Sequence, residues 1–182
     1  MPGLATATDL ATYLGVPPEE MDEPRAEAFL EQASAFIRAY CGWHIAPSVT
    51  EALTVDGSGA LMQPLPSGYL TSVGLVTAVG EAVADFTWSQ AGYLVRSRPW
   101  PCVLRGVTAI VTHGYATTPP EVVAVVCMAA TRAQTNPEGV TRKVAGPFQV
   151  QYSATASGSA GGLALLPNEL LVLDRYRLAP RP

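Results

Sequence analysis

The amino-acid sequence predicts an α+β fold, a small helical bundle with an inserted antiparallel β-hairpin region. Two segments, around residues 26–40 and 118–135, carry apolar residues at helical spacing, whereas residues 49–113 consist of short alternating runs split by turn residues. A chain of 182 residues is long enough for one domain with a core. Only 14% of the residues are charged and 48% are apolar, so we expect a partner to cover part of the apolar surface.

Two helices are predicted in the first 42 residues. Thr8 precedes a short apolar-periodic run that ends before Gly15 and Pro17, which predicts a short capped helix. A long helix follows and ends at Gly42, because one stripe holds Ala26, Phe29, Leu30, Ala33, Phe36, Ile37 and Tyr40. The helical part at this end of the chain therefore spans residues 8–42.

The inserted β region covers residues 49–113. Residues 49–55 end at Asp56-Gly57, residues 73–79 end at Gly80-Glu81, and residues 86–88 face residues 93–95 across a four-residue loop. Each of these runs alternates apolar and polar residues and stops at a turn signal. The pattern predicts antiparallel hairpins.

A central apolar helix is predicted over residues 118–136. Thr118 can cap it, Pro119 and Pro120 fit its first turn, and Glu121 stands three residues after the cap. One face holds Val122, Val125, Val126, Ala129 and Ala133, and the other face is also apolar, with Val123, Ala124, Cys127 and Met128. A helix that is apolar all round is buried all round, either inside the fold or against another subunit.

The last third of the chain contains a hairpin, a linker and a closing helix. Residues 142–152 read as a hairpin with a basic edge, and residues 154–162 are small residues typical of a flexible linker. Residues 167–177 form the predicted C-terminal helix. It carries an apolar stripe with flanking arginines, which we call the closing-helix stripe: Leu170, Leu173, Arg175, Tyr176 and Arg177.

The residues that could carry chemistry are few and scattered. His44 and His113 each stand beside a turn signal, where a structural hydrogen bond is the ordinary role of histidine. Cys102 and His113 could pair as nucleophile and base, but no third group orients them. The three cysteines, Cys41, Cys102 and Cys127, lack metal or redox spacing and are expected to be reduced. The sequence therefore predicts no enzyme and no catalytic, cofactor-binding or metal site.

The charges are unevenly distributed along the chain. Residues 1–31 carry seven acids and one arginine, whereas residues 96–182 carry nine bases and four acids. The asymmetry is either chance clustering on solvated faces or the sign that acidic and basic flanks meet between copies. The bases are too few and too spread out for sequence-specific DNA binding. The chain also lacks a membrane-spanning run and a signal peptide, so we expect a cytoplasmic protein.

Several motifs occur in an order that resembles a known family. After the two N-terminal helices and the β region come Thr112-His-Gly-Tyr115, Pro120-Glu-Val, Asn136-Pro-Glu-Gly139, a segment from Gly146 to Tyr152, and Asp174-Arg-Tyr-Arg177. Over about 170 positions, this order resembles the head-to-tail adaptor (head-tail connector) proteins of long-tailed bacteriophages. The resemblance implies one adaptor domain over residues 1–182.

The resemblance also implies a function. A head-to-tail adaptor assembles as a ring of about a dozen copies beneath the portal protein, extends the DNA channel, and offers the surface to which stopper or tail proteins attach. It belongs to the virion at the head–tail junction and is made in the host cytoplasm. DNA passes through such a channel without sequence-specific recognition.

The candidate contact residues are hypotheses of two kinds. The closing-helix stripe is expected to dock onto the portal, with packing on its own domain as the alternative. The expected subunit interface comprises Val123, Cys127, Met128, Arg142, Lys143, Glu27 and Glu31. Two other functions stay open: a tail-completion or stopper protein of the phage neck, and a small enzyme or ligand-binding domain built around a cavity in the β region.

Overall fold

The computed structural model describes residues 1–135, 142–145, 148–151 and 163–179, the strands at 142–145 and 148–151 by their backbone only. The chain is α+β, and all of its described strand pairs are antiparallel, which confirms the predicted class. It divides into two compact units. Unit 1 comprises Met1–Cys41 and Thr118–Tyr176, and unit 2 comprises Gly42–Thr117 and Arg177–Pro182. The single domain expected over residues 1–182 stays a prediction.

Unit 1 contains the helices. They are α1 (Ala7–Leu14), α2 (Glu23–Cys41), α3 (Pro120–Thr135) and α4 (Pro167–Leu173). Two short 3₁₀ helices, Pro18–Glu20 and Asp174–Tyr176, bring the described helical segments to six instead of the predicted four. The helix predicted over residues 167–177 is thus a shorter α-helix that tightens into a 3₁₀ turn, as helix ends often do.

The cap of α1 is Thr6, not Thr8. The Thr6 hydroxyl accepts a 3.2 Å hydrogen bond from the Asp9 backbone N–H, and the Asp9 carboxylate accepts a 2.8 Å bond from the Thr6 backbone N–H. This reciprocal pair satisfies two backbone donors that a helix start otherwise leaves open, and it requires three-residue spacing. The Thr8 carbonyl instead accepts a hydrogen bond from the Thr12 hydroxyl.

The core of unit 1 lies between α2, α3 and the shorter helices. The inward residues of α2 include Ala26, Leu30, Ala33 and Ile37, all at most 1% exposed, as the predicted stripe requires. Phe36 departs from that prediction, because it is 52% exposed. From α3 the fully or nearly fully buried residues are Val122, Val125, Val126, Cys127, Ala129, Ala130 and Ala133.

Unit 2 contains two sheets. The larger has the strand order β1 (Val49–Val55), β7 (Val107–His113), β3 (Leu70–Ala78), β4 (Glu81–Val83). The smaller has the order β2 (Met62–Pro64), β6 (Tyr93–Arg96), β5 (Phe86–Ser89). A third, two-stranded sheet belongs to unit 1 and is formed by β8 (Arg142–Ala145) and β9 (Phe148–Gln151), within the region predicted as a hairpin.

Two of the predicted hairpins form, β3–β4 and β5–β6. The expectation that residues 49–55 open a hairpin at Asp56-Gly57 is wrong. β1 pairs with β7 over seven residues, from Val49 opposite His113 to Val55 opposite Val107. Alternation identified the strand, but the sequence gives no local signal for a partner more than 50 positions away.

The core of unit 2 lies on one face of β7. Val107, Ala109, Val111 and His113 point inward and are at most 1% exposed, whereas Ile110 on the opposite face is 41% exposed. The inward residues pack with others from both sheets, among them Leu70, Val76, Leu94 and Trp100. Because the strand alternates with period two, one face carries the core and the other is open.

Candidate interaction surfaces

The closing-helix stripe is partly buried and partly exposed. Leu173 is fully buried, Leu170 and Tyr176 are half-buried, and Arg175 and Arg177 are exposed. The outward apolar residue of α4 is instead Leu171, which is 72% exposed. The run of four apolar residues from 170 to 173 gives no periodic signal that separates the two faces, so Leu171 does not stand out in the sequence.

Polar contacts hold α4 and the 3₁₀ turn after it within unit 1. Arg132 on α3 forms a bidentate ion pair with Glu169, both N–O distances being 2.9 Å. The Cys41 thiol lies 3.8 Å from the Leu173 carbonyl oxygen. The Tyr176 hydroxyl donates to the Glu121 carboxylate, and this bond is the main reason that the pKa of Glu121 is lowered.

The proposed interface residues of α3 differ in accessibility. Cys127 is 1% exposed, and burial, followed by the negative charge of Asp9, raises the pKa of its thiol to about 11. It is therefore a packed, protonated thiol. Val123 and Met128 are half-buried and keep part of their surface open.

The charged interface residues lie on two other elements. Glu27 and Glu31 are exposed one turn apart on α2, so this helix presents an acidic face. Arg142 and Lys143 belong to β8, and their side chains lie outside the described part of the chain.

Part of the basic excess is neutralised inside the chain. Asp85 accepts hydrogen bonds from Arg96 at 2.8 Å and from Arg98 at 3.0 Å. Burial alone would raise the pKa of Asp85, but the hydrogen bonds from the two arginines outweigh it and lower the pKa. Together with the Arg132–Glu169 pair, these contacts use three of the nine bases counted after residue 95.

The two histidines, which lie 69 positions apart in the sequence, meet inside unit 2. Their ring centroids are 4.4 Å apart in an edge contact. His113 Nε2 donates to Glu51 at 2.9 Å, and His44 Nε2 donates to the Pro47 carbonyl oxygen at 2.9 Å. Burial, and then the neighbouring His113, lower the pKa of His44.

The contacts of these two histidines indicate a structural role. Each histidine has the hydrogen-bonded role expected from the sequence, although their contact was not foreseen. Cys102, considered as a nucleophile for His113, is exposed, whereas His113 is 1% exposed and bonded to Glu51. Within the described residues, no three His, Cys, Asp or Glu side chains cluster closely enough to hold a metal ion.

An apolar tip, which the sequence did not single out, lies at one end of unit 2 and comprises Val79, Val103 and Leu104. Their exposed fractions are 61%, 47% and 81%. Backbone bonds fix the tip, since the Val79 N–H donates to the Gly106 carbonyl at 2.7 Å and the Gly57 N–H donates to the Val103 carbonyl at 2.9 Å. An exposed apolar patch with a hydrogen-bonded backbone is typical of interaction sites.

Comparison with known proteins shows that this chain shares its fold with chains in solved structures. No family model and no curated protein matches the chain. Chains in solved structures of a gene transfer agent (GTA) particle do match. One comes from the neck of the empty particle computed with C6 symmetry; it is 18% identical, with a TM-score of 0.56. The match covers 97% of this chain and 90% of that chain.

Two further structures of that particle agree. A chain from the neck of the native particle computed with C12 symmetry is 18% identical, with a TM-score of 0.54, and the match covers 97% of this chain and 92% of that one. A chain from the virion of the native particle is 17% identical, with a TM-score of 0.59 and coverages of 97% and 90%. At these identities the finding is one of fold, over nearly the whole length of the chains.

A search for membrane spans gives a negative result: no described helix combines the length and the apolar character needed to cross a bilayer.

Proposed function

We propose that this chain is a structural protein of a phage-like neck, a head-to-tail adaptor. The observation that carries the proposal is the shared fold, over 97% of the chain, with chains from the neck of a GTA particle. The order of sequence motifs supports the same role independently. Its place is the head–tail junction of the virion, reached from the host cytoplasm during assembly, and its role is structural, not enzymatic.

In this role about a dozen copies form a ring beneath the portal protein. The ring extends the DNA channel without reading the DNA sequence and presents a surface to stopper or tail proteins. The two symmetries used for the matched neck, C6 and C12, are those of closed rings and support a ring for this chain. Exposed apolar residues, among them Phe36, Leu104 and Leu171, supply surface for such neighbours to cover.

The alternative within the same class is a tail-completion or stopper protein. Partner order separates the two roles, because an adaptor binds the portal directly and a stopper binds the adaptor. Purified chain should therefore bind isolated portal rings and add a ring of about twelve subunits, counted by native mass spectrometry and electron microscopy. Binding only to a portal that already carries another neck protein would favour the stopper role. A chain that binds neither would contradict the proposal.

The portal contact is proposed to include the exposed part of the closing helix. Leu171→Glu with Arg175→Glu changes only exposed positions, so the variant should melt like the wild type. Portal binding in a pull-down should fall at least tenfold. Thr12→Glu, at an exposed position on α1, is the matched control. Unchanged portal binding by the double variant would remove α4 from the contact.

A further inference from the structure

The larger sheet of unit 2 ends in a long open strand. β1 is the terminal strand of the order β1-β7-β3-β4, so among the described strands only β7 lies beside it. Its seven residues pair with β7 without a register shift. The other terminal strands of the two sheets, β4, β2 and β5, have three or four residues. Four of the seven β1 residues are exposed: Thr50, Glu51, Ala52 and Thr54.

This edge lacks the usual protection against strand pairing. Proteins block open edges with proline, lysine, bulges or very short strands, because unpaired N–H and C=O groups otherwise invite another strand. The β1 sequence contains no proline and no lysine, and its only charge is Glu51. That carboxylate is engaged by His113, and its side chain is 47% exposed.

A second incomplete sheet occurs in the same chain. The strands β8 and β9 pair with each other over four residues and with no third strand that the structure describes. A two-stranded hairpin alone is marginally stable in water, and a third strand or a packed face is what stabilises it. The hairpin therefore has open edges of the same kind as β1.

We propose that the β8–β9 hairpin of one copy adds to the open edge of β1 in a second copy. The inference rests on one part of the proposed function, namely that copies of the chain meet around a ring. A head-to-tail ring contact joins two different surfaces, so each copy can give its hairpin to one neighbour and receive a hairpin from the other. The charges are complementary, because β1 carries only Glu51 whereas β8 begins with Arg142 and Lys143.

Disulfide trapping tests the pairing. Thr50→Cys and Val144→Cys, which face each other in the antiparallel register that places Lys143 opposite Glu51, are combined with Cys102→Ser, which removes the exposed native thiol. After oxidation of assembled rings, denaturing electrophoresis should show a ladder of covalent multimers. The control replaces Thr50→Cys by Thr87→Cys, at an exposed position on β5 of the smaller sheet, and should give monomers. An internally cross-linked monomer, or an equal ladder in the control, overturns the proposal.

Hydrogen exchange supplies a readout that does not depend on the strand register. The alternate β1 amides that point away from β7 should exchange about fivefold or more slowly in the ring than in the free chain, the factor expected for one hydrogen bond of typical net strength. Amides of β5 should not change. Replacing residues 142–151 by a Gly-Ser segment of equal length should abolish the difference. Rings without β1 protection overturn the pairing and leave the adaptor role intact, whereas failure to form rings on portal contradicts both.

Discussion

Glu169 accepts hydrogen bonds both from Arg132 on α3 and from the backbone N–H of Leu166, the latter at 2.7 Å. One carboxylate, 1% exposed, therefore joins α3 to the first turn of α4. The Arg132 guanidinium also donates to the Ala164 carbonyl at 3.0 Å. The segment that precedes α4 is thus fixed to α3 by charged hydrogen bonds, and α4 belongs to the fold of unit 1.

Glu169→Ala should lower the free energy of unfolding by about 3 kcal/mol or more, because it leaves the Arg132 charge buried without its partner. Chemical denaturation measures this loss. The double variant Arg132→Met, Glu169→Leu should recover much of the loss, since no unpaired charge remains. Glu27→Ala, at an exposed position, is the control. A single variant as stable as the wild type would show that the pair does not hold α4.

Gly114→Ala should be much more destabilising than Gly80→Ala. Both glycines have positive φ, +93° and +84°, so alanine strains the backbone at either position by about 1–2 kcal/mol. A Cβ at Gly114 would also lie 2.4 Å from His44 Nε2, whereas at Gly80 it would meet open space. This overlap should add about 1–3 kcal/mol. Equal melting temperatures for the two variants would contradict the packing described around His44.

Unit 2 should lose stability as the pH falls below about 6.5, the ordinary pKa of histidine. Because the folded-state pKa of His44 is lowered, the unfolded chain binds the proton more readily, and stability is full above that value. The facing titratable groups are His113 and Glu51. Thermal melts at pH 7.5 and 5.5 measure the loss, which should be smaller in His44→Gln. An equal loss in that variant would exclude His44 as its source.

The acidic face of α2 should contribute to assembly but not to folding. Glu27→Arg with Glu31→Arg changes exposed positions, so the free energy of unfolding should stay within about 0.5 kcal/mol of the wild type. Ring formation should weaken, because the reversed charges would repel the basic flank of the next copy. Light scattering over a salt series is a second check, because salt screens exposed charges over about 8 Å. Assembly that is unchanged or stronger at high salt would contradict this role.

Individual helices and strands could be predicted from the sequence because the residues that determine them are close together in the chain. The helix after Thr118 was predicted from its prolines and Glu121, and α3 begins at Pro120, two positions later. The strand predicted from alternation over residues 73–79 overlaps β3, Leu70–Ala78. Such signals depend on residues within one or two turns of each other, which is the range over which spacing determines structure.

What the sequence could not give was which surfaces meet. Alternation marks residues 49–55 as a strand, but the same pattern fits a neighbouring hairpin or the distant β7 equally well. In the same way, the stripe of Leu170 and Leu173 predicts an apolar helix face without saying whether its own unit or another protein covers it. Leu173 is covered by unit 1. The contact of His44 with His113 was hidden for the same reason.

The pairing of β1 with β7 also has a consequence for the order of events on the ribosome. The closest paired residues, Val55 and Val107, are separated by about 50 positions, so β1 leaves the ribosome well before its partner exists. At about 5–20 residues per second, roughly 3–12 s separate the synthesis of Val55 from that of His113, the last residue of β7. During that time β1 has two unpaired edges. Slowing translation after β1 has emerged but before β7 has emerged should therefore increase the aggregation of nascent chains, whereas slowing it once β7 has emerged should not.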